Sequence, residues 1–102
     1  MLGRAKVPIY RVFGGAAKAK GSYFSAISPK IYGKNYRNYA GLPNSNTARR
    51  TLEAETPLNN IDFSTLKPAA PLDGNMGRLV PELKVIDSGK VTYKNVYRSN
   101  YW

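Results

Sequence analysis

The sequence predicts a single small α+β domain built on antiparallel strands. Two observations lead to this. Short runs rich in Val, Ile, Tyr and Phe recur along the 102 residues, each cut by Gly, Pro or Ser. Only one segment carries a convincing helical period, and much of the remainder is loop. An apolar fraction of 42% is ordinary for a globular protein and argues against a disordered chain. The length suits one domain, residues 1–102, with a thin core.

Residues 7–13 form the first expected strand, broken by Gly14-Gly15. Ala16 to Lys20 has the composition of a short helical turn. Ser22 to Ile27 reads as the second strand, stopped by Ser28-Pro29. From Lys30 to Tyr39 the pattern turns helical, with Tyr32, Tyr36 and Tyr39 on one face and Lys30, Lys34 and Arg37 on others. Gly33 weakens that helix, and Gly41-Leu42-Pro43 ends it. Thr47 to Thr56 alternates as a strand, Ala48, Arg50, Leu52 and Ala54 opposing Arg49, Thr51, Glu53 and Glu55. Pro57 to Gly77 reads as a long irregular stretch, and loops of that length are often functional. Residues 79–86 and 90–97 are the last two expected strands, the latter with Val91, Tyr93 and Asn95 on one face.

Composition excludes several kinds of chemistry. The chain has no cysteine and no histidine. Disulfides, thiolate nucleophiles, Ser-His relays and the usual zinc ligands are therefore absent. Six acidic residues supply a metal site or a paired-carboxylate hydrolase poorly. No run approaches the ~20 apolar residues of a membrane span, and no secretory h-region is present. An acid-free N-terminal half also has the look of a transit segment, but its strand-like runs and tight Gly and Pro punctuation fit a folded domain better.

Charge is one-sided. Net charge is +10, and residues 1–52 hold ten of the sixteen Lys and Arg and no acid. Such a field steers polyanions, acidic proteins or phosphates to one face, or simply solvates the surface.

Within this background Arg11, Ser25 and Glu82 are the candidate site residues. Arg11 lies in the apolar run Pro8-Ile9-Tyr10-Arg11-Val12-Phe13, and Glu82 in Val80-Pro81-Glu82-Leu83-Lys84-Val85-Ile86. A charge inside a strand pattern is expensive unless it has a task or a partner. Ser25 ends Gly21-Ser22-Tyr23-Phe24-Ser25. Two opposite charges with a hydroxyl between them suit a polar, anionic ligand.

Taken in order, Tyr10-Arg11-Val12, Gly21-Ser22-Tyr23-Phe24-Ser25, Ala40-Gly41-Leu42-Pro43-Asn44-Ser45-Asn46-Thr47 and Pro71-Leu72-Asp73-Gly74-Asn75-Met76-Gly77, followed by Pro81-Glu82, resemble a family. They are similar to the ADP-ribosyltransferase toxin domains of bacterial Rhs and other polymorphic toxins, most like the TreTu group that modifies elongation factor Tu. The resemblance spans residues 10 to about 86. It implies a split antiparallel β-sandwich with one or two short helices, and a mono-ADP-ribosyltransferase that uses NAD as substrate.

By the same resemblance Arg11 anchors the dinucleotide, Ser25 is the serine of the second motif with Ser22 as the other choice, and Glu82 is the catalytic glutamate. These side chains would face one another across a pocket sized for a dinucleotide. Tyr23 and Phe24 would wall the nicotinamide ring. The domain would be released from a larger secreted effector and act in the cytoplasm of a rival bacterium, with elongation factor Tu as target. A cognate immunity protein would be acidic and would plug the cleft. Val80, two residues before Glu82, departs from the Glu or Gln that many protein-modifying relatives carry and leaves the acceptor residue open; Met76 and Arg78 are candidate target contacts.

Each residue also has a structural reading. Arg11 can pair with Glu53 or Glu55, Ser25 can be a strand hydroxyl bonded to backbone, and Glu82 can guard an edge strand. Tyr32, Tyr36 and Tyr39 read as packing, and Asp73 as a turn residue. Other functions stay open: transfer of ADP-ribose to RNA, simple NAD hydrolysis, a non-catalytic basic RNA-binding protein, and a histidine-free ribonuclease.

Overall fold

The computed structural model describes residues 5–15, 21, 23–42, 45–69 and 80–99. Six strands form a mostly β, α+β-like domain: β1 (Lys6–Gly15), β2 (Tyr23–Ser25), β3 (Asn46–Pro57), β4 (Ile61–Pro68), β5 (Pro81–Val85) and β6 (Thr92–Arg98). They make one sheet in the order β4-β5-β2-β1-β3-β6, and every neighbouring pair is antiparallel. No helix among the described residues is long and apolar enough to cross a membrane.

Strand β1 is central because its sequence can bury both faces. Ile9 and Val12, three apart, fall on opposite sides and each joins a different apolar cluster. The first cluster unites Ile9, Leu52 and Ala54 with Phe24, Ile61, Leu83 and Val85. It is built almost wholly from strands, and Ile9 and Leu52 are fully buried within it. The sheet therefore curls over its own face to cover this cluster. The second cluster sits on the other side, where the helical segment packs Tyr36 and Ala40 on Val12, Ala48 and Val80.

The expected sandwich of two halves takes a different form. The strands make one hydrogen-bonded sheet, and the division is reduced to a seam. Strands β1 and β3 run in register from Lys6↔Pro57 to Phe13↔Arg50. By contrast β1 and β2 share the single registered pair Tyr10↔Ser25. The seam separates β4-β5-β2 from β1-β3-β6.

The helical segment is shorter than its tyrosine period predicts. Single 3₁₀ turns at Pro29–Ile31 and Gly33–Asn35 precede a five-residue α-helix, α1 (Tyr36–Ala40). Gly33, at φ 56°, breaks the α-helical path, and Gly41, at φ 63°, caps α1 in the left-handed conformation. The tyrosines still share a face: the ring of Tyr32 meets those of Tyr36 and Tyr39 edge-on, at 5.9 and 6.1 Å.

Strand β4 corrects the expectation of an irregular stretch from 57 to 77. Its period-2 pattern is hidden by a bulge: Asp62 pairs with Lys84 and Lys67 with Glu82, so five steps along β4 match two along β5. In β3, both faces are buried in part, because Thr51 is as inaccessible as Leu52 on the opposite face. The helical turn expected at 16–20, the Asp73 turn and the loop residues Met76 and Arg78 lie outside the described residues.

Candidate functional site

The pairing of β2 with β5 decides which side chains can meet. Phe24 opposes Leu83, and both enter the Ile9 cluster. Tyr23 and Ser25 must then face the other way, beside Lys84 and Glu82 respectively. Ser25 also opposes Tyr10 on β1, and Glu82 opposes Lys67 on β4. The result is a row across four strands: Tyr10, Ser25, Glu82, Lys67.

Arg11 reaches this row by another route. Strand alternation sets it on the side of Leu52, its partner in register. The β1–β2 ladder stops at Tyr10↔Ser25, however, and the guanidinium enters the opening that follows. Its Nη1 donates to the Tyr23 carbonyl oxygen at 3.2 Å, an acceptor that a longer ladder would have given to β1. Gly21 lies against the guanidinium, with no side chain to displace it.

One cleft gathers these groups. Arg11, Ser25 and Glu82 all line it, together with Tyr10, Val12, Tyr23 and Phe24 from the strands. Tyr36 and Ala40 from α1, then Leu42, Asn46, Ala69 and Val80, complete the wall. The cavity volume is about 90 Å³. Small-molecule pockets commonly run to roughly 300–1,000 Å³. The described residues thus enclose a ring-sized recess.

Burial shapes the electrostatics of both charged groups. Loss of water pulls the Arg11 guanidinium below its usual pKa, against the opposing influence of Tyr93 and Tyr36. Glu82 is pushed above the usual carboxylate range by burial, while Lys67 draws it back. A half-buried carboxylate interacts more strongly with a nearby positive charge than one in bulk water does.

The other expected residues differ in their availability. Ser25 is buried, and its Oγ donates to the Ile27 carbonyl and accepts from the Ile27 amide, both at 3.1 Å. The hydroxyl therefore pins the turn after β2 while lining the cleft. Tyr23 is 43% exposed and accessible. Phe24 is 3% exposed and held in the core cluster, so it backs the cleft from behind. Ser22 lies outside the described residues.

Tyr10, Tyr36 and Asn46 also line the cleft. Tyr10 and Tyr36 carry an aromatic signal that is shared with packing residues. Asn46 is buried; its Nδ2 donates to the Val12 carbonyl at 3.0 Å and its Oδ1 accepts from the Ala48 amide at 2.9 Å. It ties β3 to β1 beside the irregular Ala48, whose φ is 56°. Leu42 and Asn46 thus shape one wall of the cleft, with Pro43 and Asn44 outside the described residues. Comparison with protein-family models, curated proteins and solved structures gave no match.

Proposed function

We propose that this protein is an NAD-dependent mono-ADP-ribosyltransferase of the polymorphic-toxin kind, with Arg11, Ser25 and Glu82 at its site. The observation that carries the reading is the convergence of these three residues, 71 positions apart at the extremes, on one cleft at the β1–β2 seam.

The chemistry suits the residues. The bond between nicotinamide nitrogen and ribose C1′ breaks, and nicotinamide leaves as a neutral base with the bonding pair. Positive charge develops on the ribose, as in glycoside cleavage. Glu82 stabilises that charge and accepts from the ribose 2′-hydroxyl. A lone pair of the acceptor then forms the new bond to C1′, and its proton passes to solvent. No histidine acid is required. Arg11 grips phosphate or ribose oxygens with its fork of donors, and the exposed Tyr23 ring flanks nicotinamide. The recess holds the ring, while the rest of the dinucleotide extends beyond the described walls.

Elongation factor Tu is the proposed acceptor, in the cytoplasm of a target bacterium reached by a larger secreted effector. An acidic immunity protein would be drawn to the +10 surface and cover the cleft. The deciding experiment incubates the protein and labelled NAD with a bacterial lysate. Label on elongation factor Tu that survives ribonuclease supports the reading. Label lost with ribonuclease makes RNA the acceptor, and nicotinamide release without labelling makes the protein a hydrolase.

A further inference from the structure

The bulge in β4 builds a second cavity that the reaction above does not use. About 210 Å³ in volume, it is lined by Tyr23, Ser64, Thr65, Lys67 and Lys84. The bulge is fastened from within. The Ser64 amide and hydroxyl both donate to Asp62 Oδ1, the Thr65 hydroxyl donates to the Asp62 carbonyl, and the Lys84 amide donates to Thr65 Oγ1. A loop held this firmly is a formed surface, and bulges cluster beside active sites.

Three properties give that surface a chemical preference. Two lysines line it and no acid among the described residues does. Asp62, the acid opposite Lys84, spends Oδ1 on Ser64. Lys84 lies 4.8 Å over the Tyr23 ring, and Tyr23 lines both this cavity and the cleft. Phe63 and Leu66, at the tip of the bulge, are 57% and 49% exposed. Exposed apolar side chains beside two lysines that make no salt bridge among the described residues fit an acidic protein segment with apolar residues of its own. A nucleic-acid backbone would make no use of Phe63 and Leu66.

We infer that the β4 bulge is the docking groove for the acceptor protein, taking an acidic, partly apolar segment across Tyr23 from the cleft. This inference rests on the transferase reading. Tyr23 would then be shared by donor and acceptor, which sets the nucleophile of the docked protein beside Glu82.

The test uses labelled NAD as donor and purified elongation factor Tu as acceptor, with nicotinamide release in its absence as the readout of the cleft alone. Phe63→Ser/Leu66→Ser and, separately, Lys84→Glu are each expected to raise the KM for acceptor about tenfold or more. The first variant should keep acceptor-free nicotinamide release and the KM for NAD within about twofold, since neither side chain lines the cleft. Added salt should weaken acceptor binding in the wild type and less so in Lys84→Glu. If the wild type labels the factor and both variants do so with unchanged KM, the groove assignment is overturned while the transferase reading stands. If the wild type neither labels nor releases nicotinamide, both fall. Label transferred only to RNA overturns the choice of a protein segment.

Discussion

Gly21 makes room for the guanidinium of Arg11: a β-carbon placed at 21 would lie 2.8 Å from Cζ and 2.9 Å from Nη2. Such a contact is too close to persist, and the flexible end of the arginine is what would yield. Gly21→Ala should therefore leave stability within about 0.5 kcal/mol and shift Arg11 away from the Tyr23 carbonyl. In the transferase reading the expected outcome is a raised KM for NAD with a smaller change in kcat, read from steady-state nicotinamide release. Arg11→Ala should be more damaging, since it forfeits charged hydrogen bonds worth about 1.5–3 kcal/mol each.

Glu82→Gln should abolish transfer and leave the fold intact. It should also make the protein more stable at neutral pH. A carboxyl whose folded pKa is raised binds its proton more tightly folded than unfolded. Its contribution is fully favourable below the ordinary carboxylate range and is lost as pH rises through the elevated folded value. The stability difference between variant and wild type should accordingly open as pH rises across that window and close below it. Denaturant melts at a series of pH values measure it.

Lys67 faces Glu82 across the β4–β5 ladder and holds its pKa down. Lys67→Ala should move the acid limb of kcat/KM for NAD to higher pH. A limb that stays in place would mean that another group governs it.

Thr51 is fully buried, and its hydroxyl has no hydrogen-bond partner among the described residues. An unpaired buried hydroxyl costs about 1–3 kcal/mol. Thr51→Val keeps the shape and the β-branch, so it should stabilise the protein by about 1 kcal/mol, which for a domain of this size raises Tm by roughly 4–8 °C. No effect on activity is expected, because Thr51 does not line the cleft.

Local pattern was enough to read the strands that carry clean runs. Val7-Pro8-Ile9-Tyr10 and Leu83-Lys84-Val85 alternate without interruption, and Gly41 ends α1 where a left-handed cap must stand. Strand β4 was hidden because Phe63 to Leu66 bulge out of register, so Ile61 and Lys67 lose the phase that would join them. The site was legible only as far as charge inside an apolar run betrays it. Arg11 and Glu82 are costly where they stand, and cost is visible in a sequence. Their neighbours Tyr10 and Asn46 depend on register between β1 and β3, and Tyr36 on the packing of α1 against Val12, none of which a local period encodes. Gly21 reads as punctuation, although what it provides is space for a side chain ten positions earlier.

The single Tyr10↔Ser25 bridge between β1 and β2 has a mechanical corollary. Two well-laddered slabs meet there along their thinnest weld. Whatever lodges at that joint, whether a small molecule or an inhibitor's side chain, rivets one slab to the other and should slow amide exchange on both banks at once.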